Sequence, residues 1–390
     1  MTDAAAASTS ASAADAAATA ELGAIPETDL ETVRDEFHVL HEIVKRARAN
    51  LDRNTWDYLR GGTESETTVK RNRLAFDKVA FRPRVLNDMR EIDTGGSFLT
   101  HKVSLPVLLC PIGSLESFAA NGPVQAMRAA AHAGVPLFLS SVGTVPLEDV
   151  AKIEGGTKVF CLYKRGDDSW LDDIVARAVD HGYDAFALTV DSAWYSRRER
   201  DMANRFVKPW RQVPGMEFQK ALNWKDVERF KKTHDIPLIL KGIATAEDAR
   251  LAVEHGADMI YVSNHGGRQL DHGLGALDVL PEVADAVAGR AKIAVDGGVT
   301  RGSDIIKARA LGADAVGIGR MLCCGLAAGG AAGVVRVLEL LEEEVRIDLG
   351  LLGLNSFNDI DGRYIAYTDP VEPAHVWSQY PLLAPDDYTY

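Results

Sequence analysis

Short runs of Val, Ile, Leu and Ala recur through most of the chain. Each is followed by Gly or polar residues and then by apolar residues at helical spacing. The runs are Val107–Cys110, Pro136–Leu139, Val159–Leu162, Ala185–Val190, Leu238–Leu240, Met259–Val262, Ile293–Val295 and Ala315–Ile318. Continuous apolar character, without alternation, predicts strands covered on both faces, as in a parallel sheet. The segments between them, such as Val124–Ala133, Trp170–His181, Ala246–His255, Ser303–Leu311 and about 333–345, predict helices. This many alternating units predict an α/β fold closed into a (β/α)8 TIM barrel, not an open sheet.

Ahead of the barrel, Leu40, Ile43, Val44, Ala47 and Leu51 mark a helix over Phe37–Arg53. A second helix starts near Trp56 and ends on Gly61-Gly62, and a third covers Glu66–Ala75, as lid or as packing. Residues 1–30 are rich in Ala and Ser and nearly devoid of large apolar groups, the composition of a disordered tail. With Arg34 as the first basic residue and no strong apolar stretch, that tail does not read as a signal peptide. Residues 31–360 then form one domain, and 361–390 a Tyr- and Pro-rich extension, ordered only against this subunit or a neighbour. The longest gap between strands holds Arg205–Leu222, read as an irregular surface loop over the barrel mouth.

Composition narrows the function. With 43 basic and 56 acidic residues the net charge is −13, which argues against a nucleic-acid surface. An anionic ligand must be gripped by a few local cations. Cys110, Cys161, Cys323 and Cys324 lie in apolar runs without metal-ligand spacing, so no metal site is expected, and reduced thiols in a cytoplasmic setting are. No membrane-spanning segment is expected, since that takes an apolar run of roughly 20 residues.

The chemistry concentrates after the sixth strand, in Ser263-Asn264-His265-Gly266-Gly267-Arg268-Gln269-Leu270-Asp271. Glycines let backbone approach a ligand, His can move a proton, and Arg can hold a carboxylate through two hydrogen bonds. A plain polar turn would explain the glycines but not His and Arg together. Barrel active sites lie at the C-terminal strand ends. There the sequence places Pro111-Ile112-Gly113, Ser140-Ser141, Tyr163, Thr189-Val190-Asp191 with Arg197-Arg198, Lys241-Gly242, His265, Asp296-Gly297-Gly298 and Gly317-Ile318-Gly319-Arg320. Gly-rich loops after strands seven and eight commonly bind phosphate, with Arg320 here adding charge. The glycines near 325–330 read instead as close helix packing.

From about Trp56 to Ile360 these motifs, in this order, resemble the FMN-dependent α-hydroxy acid oxidase and dehydrogenase family. The resemblance implies oxidation of an L-2-hydroxy acid to the 2-oxo acid at an FMN cofactor, with oxygen or another electron acceptor. It implies His265 as base with Asp191 behind it. Tyr58, Arg198 and Arg268 would hold the substrate carboxylate, and Tyr163 its hydroxyl. Lys241 would sit beside flavin N1, and Pro111, Ile112, Gly113, Ser140, Cys161, Thr189 and Ser263 would surround the ring. Gly298, Gly319 and Arg320 would hold its phosphate, and Asp296 and Gly297 would complete the cofactor site. A homotetramer is the family's usual assembly.

Several positions depart from that pattern. Cys161 stands where a flavin-contacting Gln is usual, and a thiol is a weaker hydrogen-bonding group. Thr300 replaces a common Arg, with Arg301 following. Val142 occupies a position that is Trp in glycolate oxidase, which leaves room for a substrate larger than glycolate or aromatic. Three other readings stay open from sequence. They are a divergent FMN barrel with a non-standard substrate, a flavin-free isomerase or aldolase using Lys241 as a Schiff base, and a non-catalytic binding protein.

Overall fold

The computed structural model describes residues 24–206 and 213–388. All eight apolar runs are parallel strands of one closed barrel, with ends within a residue or three of those expected. They are β1 (Val107–Leu109), β2 (Leu137–Ser140), β3 (Lys158–Leu162), β4 (Ala185–Thr189), β5 (Leu238–Ile243), β6 (Met259–Val262), β7 (Lys292–Val295) and β8 (Ala315–Ile318). Val316, Gly317 and Ile318 pair with Val107, Leu108 and Leu109, so the last strand closes on the first.

Alternation along each strand makes two cores. Inward residues such as Leu108, Phe138, Val159, Ala187, Ile239, Tyr261 and Ala294 fill the barrel, small side chains opposite aromatic ones. Outward residues pack against the helices. A hairpin of Gly96–Phe98 and His101–Val103 plugs the N-terminal end, where Phe98 meets Phe138 edge-on at 5.7 Å. Three-residue strands carry too little periodicity to be read from sequence, and this hairpin was missed.

Other expectations need correction. Residues 1–23 lie outside the described part, but the tail expected through residue 30 gives way to a helix at Glu27–Glu36, whose Leu30 and Val33 are buried. The loop Arg205–Leu222 contains a helix, Met216–Ala221, and its Gln219 is buried, donating to the Thr189 carbonyl at 2.8 Å; residues 207–212 lie outside the described part. The last barrel helix is longer than expected, Arg320–Leu352, and breaks at Gly329 and Gly330. By length and composition it could cross a membrane, contrary to expectation, yet 72% of its apolar window is buried in the fold. A Cβ on Gly333 would lie 2.2 Å from the Gly325 carbonyl oxygen, so these glycines do serve close packing. The C-terminal extension lies on its own subunit, and Ile365–Tyr367 pairs antiparallel with Val79–Phe81.

Candidate active site

At the C-terminal strand ends the chain forms a cavity, open to solvent on one side, with about 1090 Å³ of empty space. Tyr58, Pro111, Ile112, Gly113, Tyr163, Arg198, Lys241, His265, Arg268, Asp296, Gly297, Gly298, Gly319 and Arg320 all line it. Asp191, Ser140, Cys161, Thr189 and Ser263 stand behind that lining.

The loop after β6 turns through three left-handed residues, His265 (φ 61°), Gly266 (φ 64°) and Gly267 (φ 75°). That conformation is uncommon for His and persists because neighbours hold it. Asn264 Oδ1 accepts from Gly267 N at 3.0 Å, and His265 N donates to Ser263 Oγ at 3.1 Å. Asn264 itself is locked to Asn72 by reciprocal amide bonds of 2.8 and 2.6 Å. Gly267 has no room for a side chain, since a Cβ would lie 2.6 Å from Val69 N.

So held, His265 turns Nδ1 toward the Asp191 carboxylate, 3.1 and 3.2 Å away, and Nε2 toward the Tyr163 hydroxyl at 3.0 Å. Burial pushes the Asp191 carboxyl up, but His265 and Lys241 outweigh it and hold the pKa down to about 2. Burial, joined by the Lys241 charge, lowers the imidazole pKa against the pull of Asp191. At neutral pH the pair is a carboxylate and a neutral imidazole. Nδ1 then carries the proton, and Nε2 is an acceptor to which Tyr163 donates. Asp191 can stand so close to the end of β5 because Gly242 has φ 116° and no Cβ, which would lie 2.6 Å from that of Asp191.

Lys241 is buried, with Nζ 3.2 Å from Ser263 Oγ and 3.9 Å from Asp296. Burial alone would lower its pKa, but Asp296 and Asp191 reverse this and keep it above the ordinary lysine range. A Schiff-base lysine must shed its proton; this one is held as an ammonium.

Arg268 and Arg320 spend donors on neutral groups. Arg268 Nη1 donates to the carbonyls of Tyr58 (2.7 Å) and Gly61 (2.8 Å). Arg320 reaches those of Leu59 (3.2 Å), Gly61 (3.0 Å) and Gly266 (3.1 Å). The first three belong to the open end of the helix Arg53–Arg60, where cations satisfy orphan carbonyls and suit the dipole. Burial and the neighbouring Arg268 pull the Arg320 pKa down to about 10, still charged at neutral pH. Arg198 is buried, and its Nε donates to the Arg268 carbonyl at 3.4 Å.

Sequence reading missed Arg73, which is buried and lines the cavity. Its guanidinium makes two 2.7 Å bonds to Asp304 and others to the Gly298 carbonyl (2.6 Å) and Thr300 Oγ1 (3.1 Å). A signal existed: Asn72 and Arg73 share the apolar face of Val69 and Phe76.

In this cavity one end offers guanidinium groups and a base, and the other offers backbone at glycine loops, the layout of a flavin-dependent barrel oxidoreductase. Residues 47–367 match the model of the FMN-dependent dehydrogenases, and the chain belongs to that family. It is 40% identical over 346 residues to glycolate oxidase 1 of Oryza sativa subsp. indica, covering 83% of this chain and 94% of that one. It is 39% identical over 340 residues to 4-hydroxymandelate oxidase of Amycolatopsis orientalis, covering 81% and 95%. Among solved structures, mandelate oxidase with 3,3-difluoro-2-hydroxy-3-phenylpropionic acid superposes with a TM-score of 0.80 at 39% identity, covering 86% and 100%. A mandelate oxidase with a C4a-OH-FMN adduct gives 0.76 at 40% identity, covering 81% and 96%. The protein is an FMN-dependent oxidoreductase of the 2-hydroxy acid oxidising class, which sets aside the flavin-free barrel.

The residues present fit FMN. Gly297 and Gly298 have φ 95° and 93°, and a Cβ on Gly298 would lie 2.6 Å from the Asn72 carbonyl oxygen, so the loop exists only as glycine. Lys241 puts a permanent cation in the lining, the charge an electron-rich ring requires. At the position of the usual Gln, Cys161 is buried, its Sγ 3.4 Å from Thr189 Oγ1, and burial pushes the thiol up to about 11.

Proposed function

We propose that the protein oxidises an L-2-hydroxy acid bulkier than glycolate, with an aryl side chain best suited, and that His265 is the base. One observation carries the assignment of the base: Nε2 of a neutral imidazole faces the cavity while Nδ1 is anchored on an ionised carboxylate.

Bound FMN would supply the acceptor for the hydrogen that leaves the substrate carbon with its two electrons. The rest falls to the chain. Arg198 and Arg268, with Tyr58, orient the substrate carboxylate by charge-assisted hydrogen bonds. The substrate hydroxyl replaces Tyr163 on His265 Nε2, and Tyr163 then donates to the substrate oxygen. His265 takes the proton, and Asp191 stabilises the imidazolium so formed. Lys241 would face the cofactor ring and supply a cation beside it.

Substrate size is supported by the wall at Val142, whose side chain lines the cavity where Trp would narrow it. The mandelate oxidases among the structural relatives are consistent with this reading, and the oxidases among the relatives support dioxygen as acceptor. Turnover on glycolate, lactate and mandelate tests it; a strong preference for glycolate would overturn the size assignment. Anaerobic mixing of H265A with substrate should give no flavin reduction while FMN stays bound; a near-normal rate would remove His265 as base.

A further inference from the structure

The family match ends at residue 367, yet the chain continues along its own barrel to Tyr388. Trp377 stacks on Trp56 at 5.7 Å, and the Tyr388 carbonyl accepts from Trp56 Nε1 at 2.9 Å and Arg60 Nη1 at 2.6 Å. Tyr380 is 2% exposed and donates its hydroxyl to the Thr300 carbonyl at 2.7 Å. Gln379 Nε2 donates to Asp77 at 2.7 Å. Immediately before these anchors Val376 enters the lining of the active-site cavity, which also includes Thr300, Arg320 and Cys323. That end is built by the loops after β7 and β8, where barrels bind phosphate.

We propose that residues 368–388 are a strap that completes the FMN site, with Val376 as the wall at the phosphate end and the Tyr380 anchor setting the rate of cofactor release. The cations nearby are largely committed elsewhere. Thr300 replaces an arginine of the family pattern, and Arg301 is drawn away onto Glu344 at 2.7 Å and over the Tyr380 ring at 5.6 Å. Arg73 is tied to Asp304 and Asp77. Retention of a phosphate here then leans on exclusion of water, because an apolar wall lowers the local dielectric and strengthens the remaining charge interactions. The same wall blocks a path of exit.

The full chain and its V376D and Y380F variants are stripped of flavin and titrated with FMN and, separately, with riboflavin, which lacks the phosphate. Release is followed by the recovery of free-flavin fluorescence on dilution. In V376D the new carboxylate faces the phosphate end, and FMN affinity should fall roughly tenfold or more while riboflavin affinity changes far less. In Y380F, FMN release should quicken several-fold. Equal losses for FMN and riboflavin in V376D would overturn the placement, whatever the stability of the apoprotein. Unchanged FMN affinity in V376D, or unchanged release in Y380F, would overturn the strap's role.

Discussion

Replacing Asp191 with Asn removes the charge behind His265 and little volume. The carboxylate oxygens lie 3.1 and 3.2 Å from Nδ1. Taking the charge centres as about 4 Å apart at an effective dielectric of about 20, the attraction to an imidazolium is about 4 kcal/mol. At 1.36 kcal/mol per unit that is about three pKa units of the conjugate acid. If roughly half of this is felt when the proton is in flight, flavin reduction slows about thirtyfold, and more if Asn favours the other tautomer. The assay is anaerobic stopped-flow reduction followed at the flavin absorbance across pH. Asp191 raises the His265 pKa, so its loss should also move the acid limb of the rate to lower pH. A merely structural role would slow the reaction without moving that limb. A D191N rate within threefold of the parent, with an unmoved limb, would refute the reasoning.

Three further outcomes follow from the geometry. V142W should cut kcat/KM for mandelate by about a hundredfold while sparing glycolate, since a bulky wall excludes a ring at a cost of a few kcal/mol; parallel steady-state assays decide. C161Q should tighten FMN binding by up to about tenfold, the worth of one net hydrogen bond, whereas C161A should not; fluorescence titration of the apoproteins separates them. D304N leaves Arg73 buried without its carboxylate and should cost about 3–5 kcal/mol at neutral pH, measured by urea unfolding. Burial raises the Asp304 pKa, but Arg73 and its other partners outweigh it and hold the folded value low. The stability it contributes is full above the unfolded pKa of about 4 and is lost as pH falls through the folded value, so the deficit of D304N should shrink toward pH 3.

The barrel was legible because each strand is buried on both faces and announces itself as an apolar run. His265, Asp191, Lys241 and the glycine loops were legible because the architecture dictates that strand ends converge. What stayed hidden depended on contacts between distant segments. Arg73 looks like any charged residue of a helix until Asp304, 231 residues later, is seen to meet it. Leu30 and Val33 give too sparse a pattern to reveal a helix after a disordered-looking tail. Val376 sits in an irregular extension, and only the Trp377 and Tyr380 anchors that follow it bring it to the cavity. Arg268 and Arg320 were read as ligands for anions alone, but most of the carbonyls they cap, those of Tyr58, Leu59 and Gly61, belong to the end of a helix outside the barrel.

That last contact has a consequence for biosynthesis. Arg320 and the carbonyl of Leu59 are 261 residues apart, so the helix end made early by the ribosome waits, uncapped, until the eighth strand has emerged. Contacts so distant along the chain are slow to form and leave partly built species exposed. The pocket is therefore assembled last, as the barrel closes, and a nascent chain that stalls before β8 has every strand-end residue through Gly298 but no finished place to hold its cofactor.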